Sequence, residues 1–154
     1  VRPTQELDAR DTPVVLVLFG DHKPWMGNGG SVYEEMGIDF DTSTLAGFRN
    51  YYATPYLIWA NRAAKEVLGA DFTGDGGDFS PCFLMTRLFD PCGWAGPGYM
   101  QLSRAMRDIS PLLHTNGLFL HDGVLTSVLS DTDRSFYRSW LAVQYYREHV
   151  AAYS

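Results

Sequence analysis

Cysteine is scarce in this chain. Only Cys82 and Cys92 occur among 154 residues, too few for a disulfide scaffold. They read as two free thiols, and a bridge between them would require an oxidising compartment. Long apolar runs are also missing. No stretch approaches the roughly 20 residues of a transmembrane helix, and no signal peptide is recognisable. The chain opens on Val1 followed by a polar stretch, which reads as a cut inside a longer protein. The missing membrane span therefore describes this soluble piece, not its parent. Cations are outnumbered, with 12 Lys and Arg against 18 Asp and Glu and a net charge of -6. That balance excludes non-specific nucleic-acid binding through a basic face. It does not exclude an anionic substrate, because a bound cation can invert the local field. No Ser-His-Asp order, Gly-rich phosphate loop or CxxC pair is found.

What is present points to a folded domain or a large piece of one. Hydrophobic residues reach 45% against 19% charged, enough for a core and too many for wholesale disorder. Residues 1–12 read as a frayed end or the tail of a helix. Val14-Val15-Leu16-Val17-Leu18-Phe19 lies between Pro13 and Gly20. Such a short continuous apolar run predicts a strand buried on both faces, as in a parallel sheet flanked by helices.

Residues 20–30 predict a loop, and residues 31–37 a short helix capped by Ser31. Asp41–Thr44 supply capping groups for a helical turn. Tyr56–Ala60 predict a second strand closed by Asn61, with helix formers at 62–68. Asp71–Phe79 reads as a loop. Ser80-Pro81 predicts a helix start, running to about Phe89 and stopping at Asp90-Pro91. A further helix spans about Tyr99 to Ile109. Leu118–Leu120 and Val124–Leu129 predict short strands around the Asp122-Gly123 turn signal. A last helix starts near Asp131, with Phe136, Trp140, Val143 and Tyr146 at helical spacing. The fold class is thus α/β.

Four groups of residues could carry chemistry. Asp21 and His22 follow the apolar run, at the strand's carboxyl end, where ligands bind in open α/β sheets. A carboxylate and an imidazole together suit Zn²⁺ or Mn²⁺. Gly20 lets the chain turn as it leaves the sheet, which adjacent ligands require. The competing reading is an Asp turn beside a surface histidine. His121-Asp122 repeats the residue types but reads better as a turn. His114 and His149 have no partner at ligand spacing and read as surface or capping residues. Asp71, Asp75 and Asp78 lack the ligand spacing and closing Glu of a calcium loop. Trp25, beside the Asp-His pair, could wall a substrate pocket. Trp59, Trp140, Tyr145 and Tyr146 read as core.

Several segments in order carry a family resemblance. "TPVVLVLFGDHKPW" and "YYATPYLIWAN" resemble the Gly-Asp-His strand and the following segment of the lipoteichoic acid synthase-like sulfatases, in the alkaline phosphatase superfamily. "SPCFLMTRLFD", "GPGYMQLSRAMRDISPLL" and "WLAVQYYREHV" resemble that family's C-terminal helices. The resemblance covers nearly the whole chain. It implies that residues 1–154 are the C-terminal portion of a catalytic domain built on a sheet flanked by helices.

Members of the family, such as phosphoglycerol transferases, move glycerol phosphate from a lipid to an acceptor. They use a Thr nucleophile and a divalent cation, Mn²⁺ first, with Zn²⁺ or Ca²⁺ as alternatives. By this resemblance Asp21 and His22 are metal ligands. His22 would bind as neutral imidazole, so acid should weaken the site. The nucleophile, the remaining ligands and the missing half of the domain lie upstream. The parent is expected to be membrane-anchored, with an extracellular catalytic domain acting in cell-envelope polymer synthesis. The piece alone is expected to be inactive and prone to self-association. Two alternatives stay open: a sulfate-ester hydrolase, and a non-catalytic binding or interaction module that retains the fold.

Overall fold

The structure, a computed structural model, describes residues 3–150. It is a mixture of helices and short strands, and the chain divides into two compact units, Val1–Gly74 and Asp75–Ser154. The boundary falls in the loop expected at Asp71–Phe79.

The first unit contains α1 (Pro3–Asp8), β1 (Val15–Phe19), α2 (Ser31–Glu35), α3 (Leu45–Tyr52), β2 (Tyr56–Ala60) and α4 (Arg62–Leu68). Both predicted strands form, but the expected parallel arrangement does not. β1 pairs antiparallel with β2, Val15 opposite Ala60 and Phe19 opposite Tyr56. No other strand joins them among the described residues. Burial on both faces also fails, since Leu18 and Phe19 are 53% and 59% exposed. A continuous apolar run reports a preference for extended structure, and the partner's direction is set by the rest of the chain.

Side-chain capping accounts for the starts of α3 and α4. The Thr44 side chain accepts a hydrogen bond from the Gly47 amide at the start of α3, the N-cap arrangement. Ser31 does not cap α2, because Gly30 occupies that position in the left-handed conformation.

Asn61, read from sequence only as a strand stop, organises the whole unit. It is fully buried. Its Oδ1 accepts from the amides of Val14 (2.9 Å) and Ala64 (2.9 Å). Its Nδ2 donates to the carbonyls of Leu7, Arg10 and Thr12 at 3.0–3.2 Å. One side chain thus caps α4 and fastens the segment before β1, satisfying five backbone groups.

The second unit contains α5 (Leu84–Phe89), α6 (Gly98–Ile109), β3 (Phe119–His121), β4 (Val124–Thr126) and α7 (Asp131–His149). Pro81 opens a 3-10 turn ahead of α5, as Ser80-Pro81 predicted. The Ser80 hydroxyl is used otherwise, exchanging hydrogen bonds with the backbone of Leu113. Phe83, Met106 and Trp140 form the core, with Phe136 and Tyr137 packed against it. The Trp140 indole N–H donates to Ser103 Oγ (3.0 Å) inside this core, so its polar edge is satisfied. Tyr145 and Tyr146, expected in the core, are 62% and 56% exposed. Trp59, in the first unit, is half-buried. β3 and β4 form a hairpin around Asp122-Gly123, both at positive φ (49° and 77°). Two consecutive positive-φ residues are the requirement of a type I′ turn.

Candidate functional site

The site is built where β1 ends. Gly20 donates its amide to the Pro55 carbonyl (3.0 Å) and accepts from Thr54 Oγ1 (2.6 Å). A side chain at Gly20 would place its Cβ 3.0 Å from Thr54 Cβ. Any larger residue would crowd Thr54, which would have to shift by a few tenths of an ångström. The chain then leaves the strand, and Asp21 and His22 no longer alternate across a sheet. Asp21 Oδ1 accepts from the His22 amide (2.8 Å), which fixes the carboxylate. Asp21 Oδ2 lies 3.7 Å from His22 Nε2.

His22 Nδ1 lies 3.0 Å from the Lys23 carbonyl oxygen. A carbonyl can only accept, so in the neutral tautomer that makes this bond Nδ1 carries the proton and the Nε2 lone pair is open. Orientation of a histidine ligand by a carbonyl on its other nitrogen is the usual support of a metal site. A span of 3.7 Å can be bridged by one cation with bonds of about 2.0–2.2 Å. The residue types and their geometry thus fit two ligands of a divalent cation. No group of three or more candidate ligands occurs among the described residues. Both side chains are open to solvent, at 79% and 82% exposure.

The loop carrying the pair is anchored on an aromatic cluster that the sequence did not reveal. Lys23 Nζ donates to the Asn50 carbonyl, and Tyr33 Oη to the Pro24 carbonyl. Trp25 meets Tyr51 edge-on at 6.1 Å, and Tyr51 in turn meets Phe40 at 5.4 Å. Trp25 remains 60% exposed. Tyr51 holds it edge-on while most of its surface stays open to solvent. These contacts join residues about 10 to 30 positions apart, a distance that local periodicity does not register.

His121 and Asp122 repeat the geometry of the Asp21-His22 pair, with Nε2 3.7 Å from Oδ2 and Nδ1 at the Ile109 carbonyl. His121 ends β3 and Asp122 is the first residue of the hairpin turn, so this pair sits on a two-residue turn. The remaining candidates do not assemble. His114 Nδ1 accepts from the Asn116 amide, and His149 stacks on Tyr145. Asp71, Asp75 and Asp78 are exposed loop residues. Cys82 and Cys92 are free thiols. No described helix is long and apolar enough to cross a membrane.

Sequence reasoning also missed a charged cluster in the second unit. Arg87, Arg104 and Arg107 all contact Asp90, at 3.5, 3.0 and 2.7 Å. The Arg87-to-Asp90 spacing of three on a helix was a legible signal; the two arginines from α6 were not. No family model matches this chain, and no curated protein or solved structure matches it either.

Proposed function

We propose that this chain supplies one side of a divalent-metal site in an enzyme acting on phosphate or sulfate esters, of the lipoteichoic acid synthase-like sulfatase type. The carrying observation is the place of the Asp21-His22 pair, 3.7 Å apart at the carboxyl end of β1 on a loop anchored through Lys23, Pro24 and Trp25 to Asn50, Tyr33 and Tyr51. Two exposed ligands hold a cation weakly, so the remaining ligands and the nucleophile come from other polypeptide. A bound divalent cation neutralises charge on the ester and favours the deprotonated form of a coordinated hydroxyl. Asp21 contributes negative charge to hold it, His22 adds a neutral nitrogen, and Trp25 offers an apolar face beside them. Mn²⁺ is the first candidate, and a glycerophosphate-bearing lipid the candidate donor. A membrane-anchored parent with an extracellular catalytic domain belongs to the same proposal.

The test is a Mn²⁺ titration followed by amide NMR. Paramagnetic broadening is expected to centre on residues 20–24, to saturate only weakly, and to disappear in Asp21→Asn and His22→Ala. Because both side chains are exposed, these variants should change stability by less than about 0.5 kcal/mol. Broadening centred elsewhere would remove the site. A chromogenic phosphate ester should not turn over with these 154 residues alone. Robust turnover lost in Asp21→Ala would overturn the shared-site reading.

The exposed sheet edge supports the shared-site reading and gives a test against the alternative, a non-catalytic interaction module. β1 has an unpaired outer edge, and Leu18, Phe19 and Leu57 are exposed on the same two-stranded sheet. An uncharged apolar edge of this kind invites another strand. Light scattering separates the two. A monomer without a dye-accessible apolar patch argues for a self-sufficient module. Self-association relieved by Leu18→Lys argues for a sheet that needs more polypeptide.

A further inference from the structure

The arginine cluster around Asp90 has more positive charge than its geometry consumes. Asp90 closes α5, and its carboxylate is 25% exposed. Arg107 Nη1 meets Oδ2 at 2.7 Å, while Arg104 Nε meets Oδ1 at 3.0 Å. Each carboxylate oxygen is thereby engaged by one arginine. Arg87 is left at 3.5 Å from Oδ2, the outer limit of a hydrogen bond. Among the described residues, the other acid paired with the cluster is Asp108, 69% exposed and 3.7 Å from Arg107 Nη2. It faces Arg107, so Arg87 and Arg104 share the Asp90 carboxylate with Arg107 and have no ion pair of their own beyond it among the described residues. Three guanidinium groups against two carboxylates leave a local excess of positive charge in a chain of net charge -6.

The three arginines are not equivalent. Arg107 is 14% exposed and also donates to Thr86 Oγ1 (3.3 Å), whose hydroxyl is fixed on the Phe83 carbonyl (2.7 Å). It is a structural cation. Arg87 and Arg104 are 34% and 29% exposed. Arg104 is additionally held by donating Nη2 to the Trp94 carbonyl (2.9 Å). Each keeps guanidinium N–H groups beyond those these contacts use, in a fork suited to oxyanions. Held guanidinium groups cost less entropy on binding than mobile ones.

We propose that Arg87 and Arg104, set in place by Asp90 and Arg107, bind a tetrahedral oxyanion of the phosphate or sulfate class. This rests on residues 75–154 alone and stands whether or not Asp21 and His22 bind a metal. The ligand could be a soluble ester or a lipid phosphate headgroup, since both present the same oxygens.

The test follows arginine Nε–Hε NMR signals of the full chain while sodium phosphate replaces sodium chloride at constant ionic strength. Saturable shifts at Arg87 and Arg104 are expected. Arg87→Gln and Arg104→Gln should each weaken binding about tenfold, the loss of one charge-assisted hydrogen bond. Arg138→Gln should leave it unchanged. Shifts equal to those in chloride, or unaltered affinity in both variants, overturn the proposal. The wild-type titration decides by itself if a variant fails to fold.

Flotation with phosphatidic acid vesicles distinguishes the source. Phosphate binding without flotation assigns a soluble ester. Phosphate binding with flotation lost in both variants assigns a headgroup. Flotation without any phosphate response overturns the site.

Discussion

The two units are held together by opposite chemistry. In residues 75–154 an apolar core of Phe83, Met106 and Trp140 is assembled from the α5 region, α6 and α7. In residues 3–74 the fully buried Asn61 side chain does much of the equivalent work, tying five backbone groups with hydrogen bonds. The first unit leaves Leu18, Phe19 and Trp25 exposed around the Asp-His pair. An apolar core tolerates changes of shape that preserve volume. A saturated polar hub tolerates almost none, because each lost partner leaves a buried group unsatisfied.

Trp140→Ala should show the largest effect. It empties the centre of the second unit and is expected to cost about 3–5 kcal/mol, read from urea denaturation. Trp140→Phe keeps most of the volume and loses the bond to Ser103, so a smaller loss of about 1–2 kcal/mol is expected. Equal losses would mean that the hydrogen bond, not packing, holds this core.

Asn61→Ala comes next, at about 3 kcal/mol. Its effect should appear in hydrogen exchange at the amides of Val14 and Ala64. Asn61→Asp is the sharper variant, since it keeps the shape and the acceptor but removes the donor to three carbonyls. If Asn61→Asp were neutral, the contrast between the units would fail.

The smallest effect concerns Cys82. Desolvation pushes its thiol from 9.0 to about 11, although the residue as a whole is exposed. The neutral thiol is favoured by folding. That contribution is fully present below pH 9 and is lost as pH rises toward about 11. Alkylation by iodoacetamide at pH 8 should therefore be roughly a hundredfold slower than for an unfolded thiol. A rate equal to that of the urea-unfolded chain would show the thiol to be solvated.

Local signals were legible wherever neighbouring residues decide the outcome. The strands at Val15–Phe19 and Tyr56–Ala60, the Asp122-Gly123 turn and the final helix from Asp131 were all readable. Sheet direction was not, because an apolar run carries no information about its partner. Tyr145 and Tyr146 were misplaced because helical spacing identifies a stripe but not whether anything covers it.

The sequence alone determined that Asp21 and His22 stand together directly after a strand. The turning freedom expected of Gly20 is not used, since Gly20 is not among the glycines at positive φ. Only the tertiary structure decided that His22 directs Nδ1 to a carbonyl and Nε2 toward the Asp21 carboxylate. It likewise decided that Trp25 rests on Tyr51, and that Asn61 and Asp90 are hubs. The physical reason is distance in space. For Trp25 and for the hubs at Asn61 and Asp90, the folded chain brings groups together across separations of 14 to 54 residues that no local pattern encodes. For His22 the partners are sequence neighbours, and the local backbone geometry decides which atoms meet.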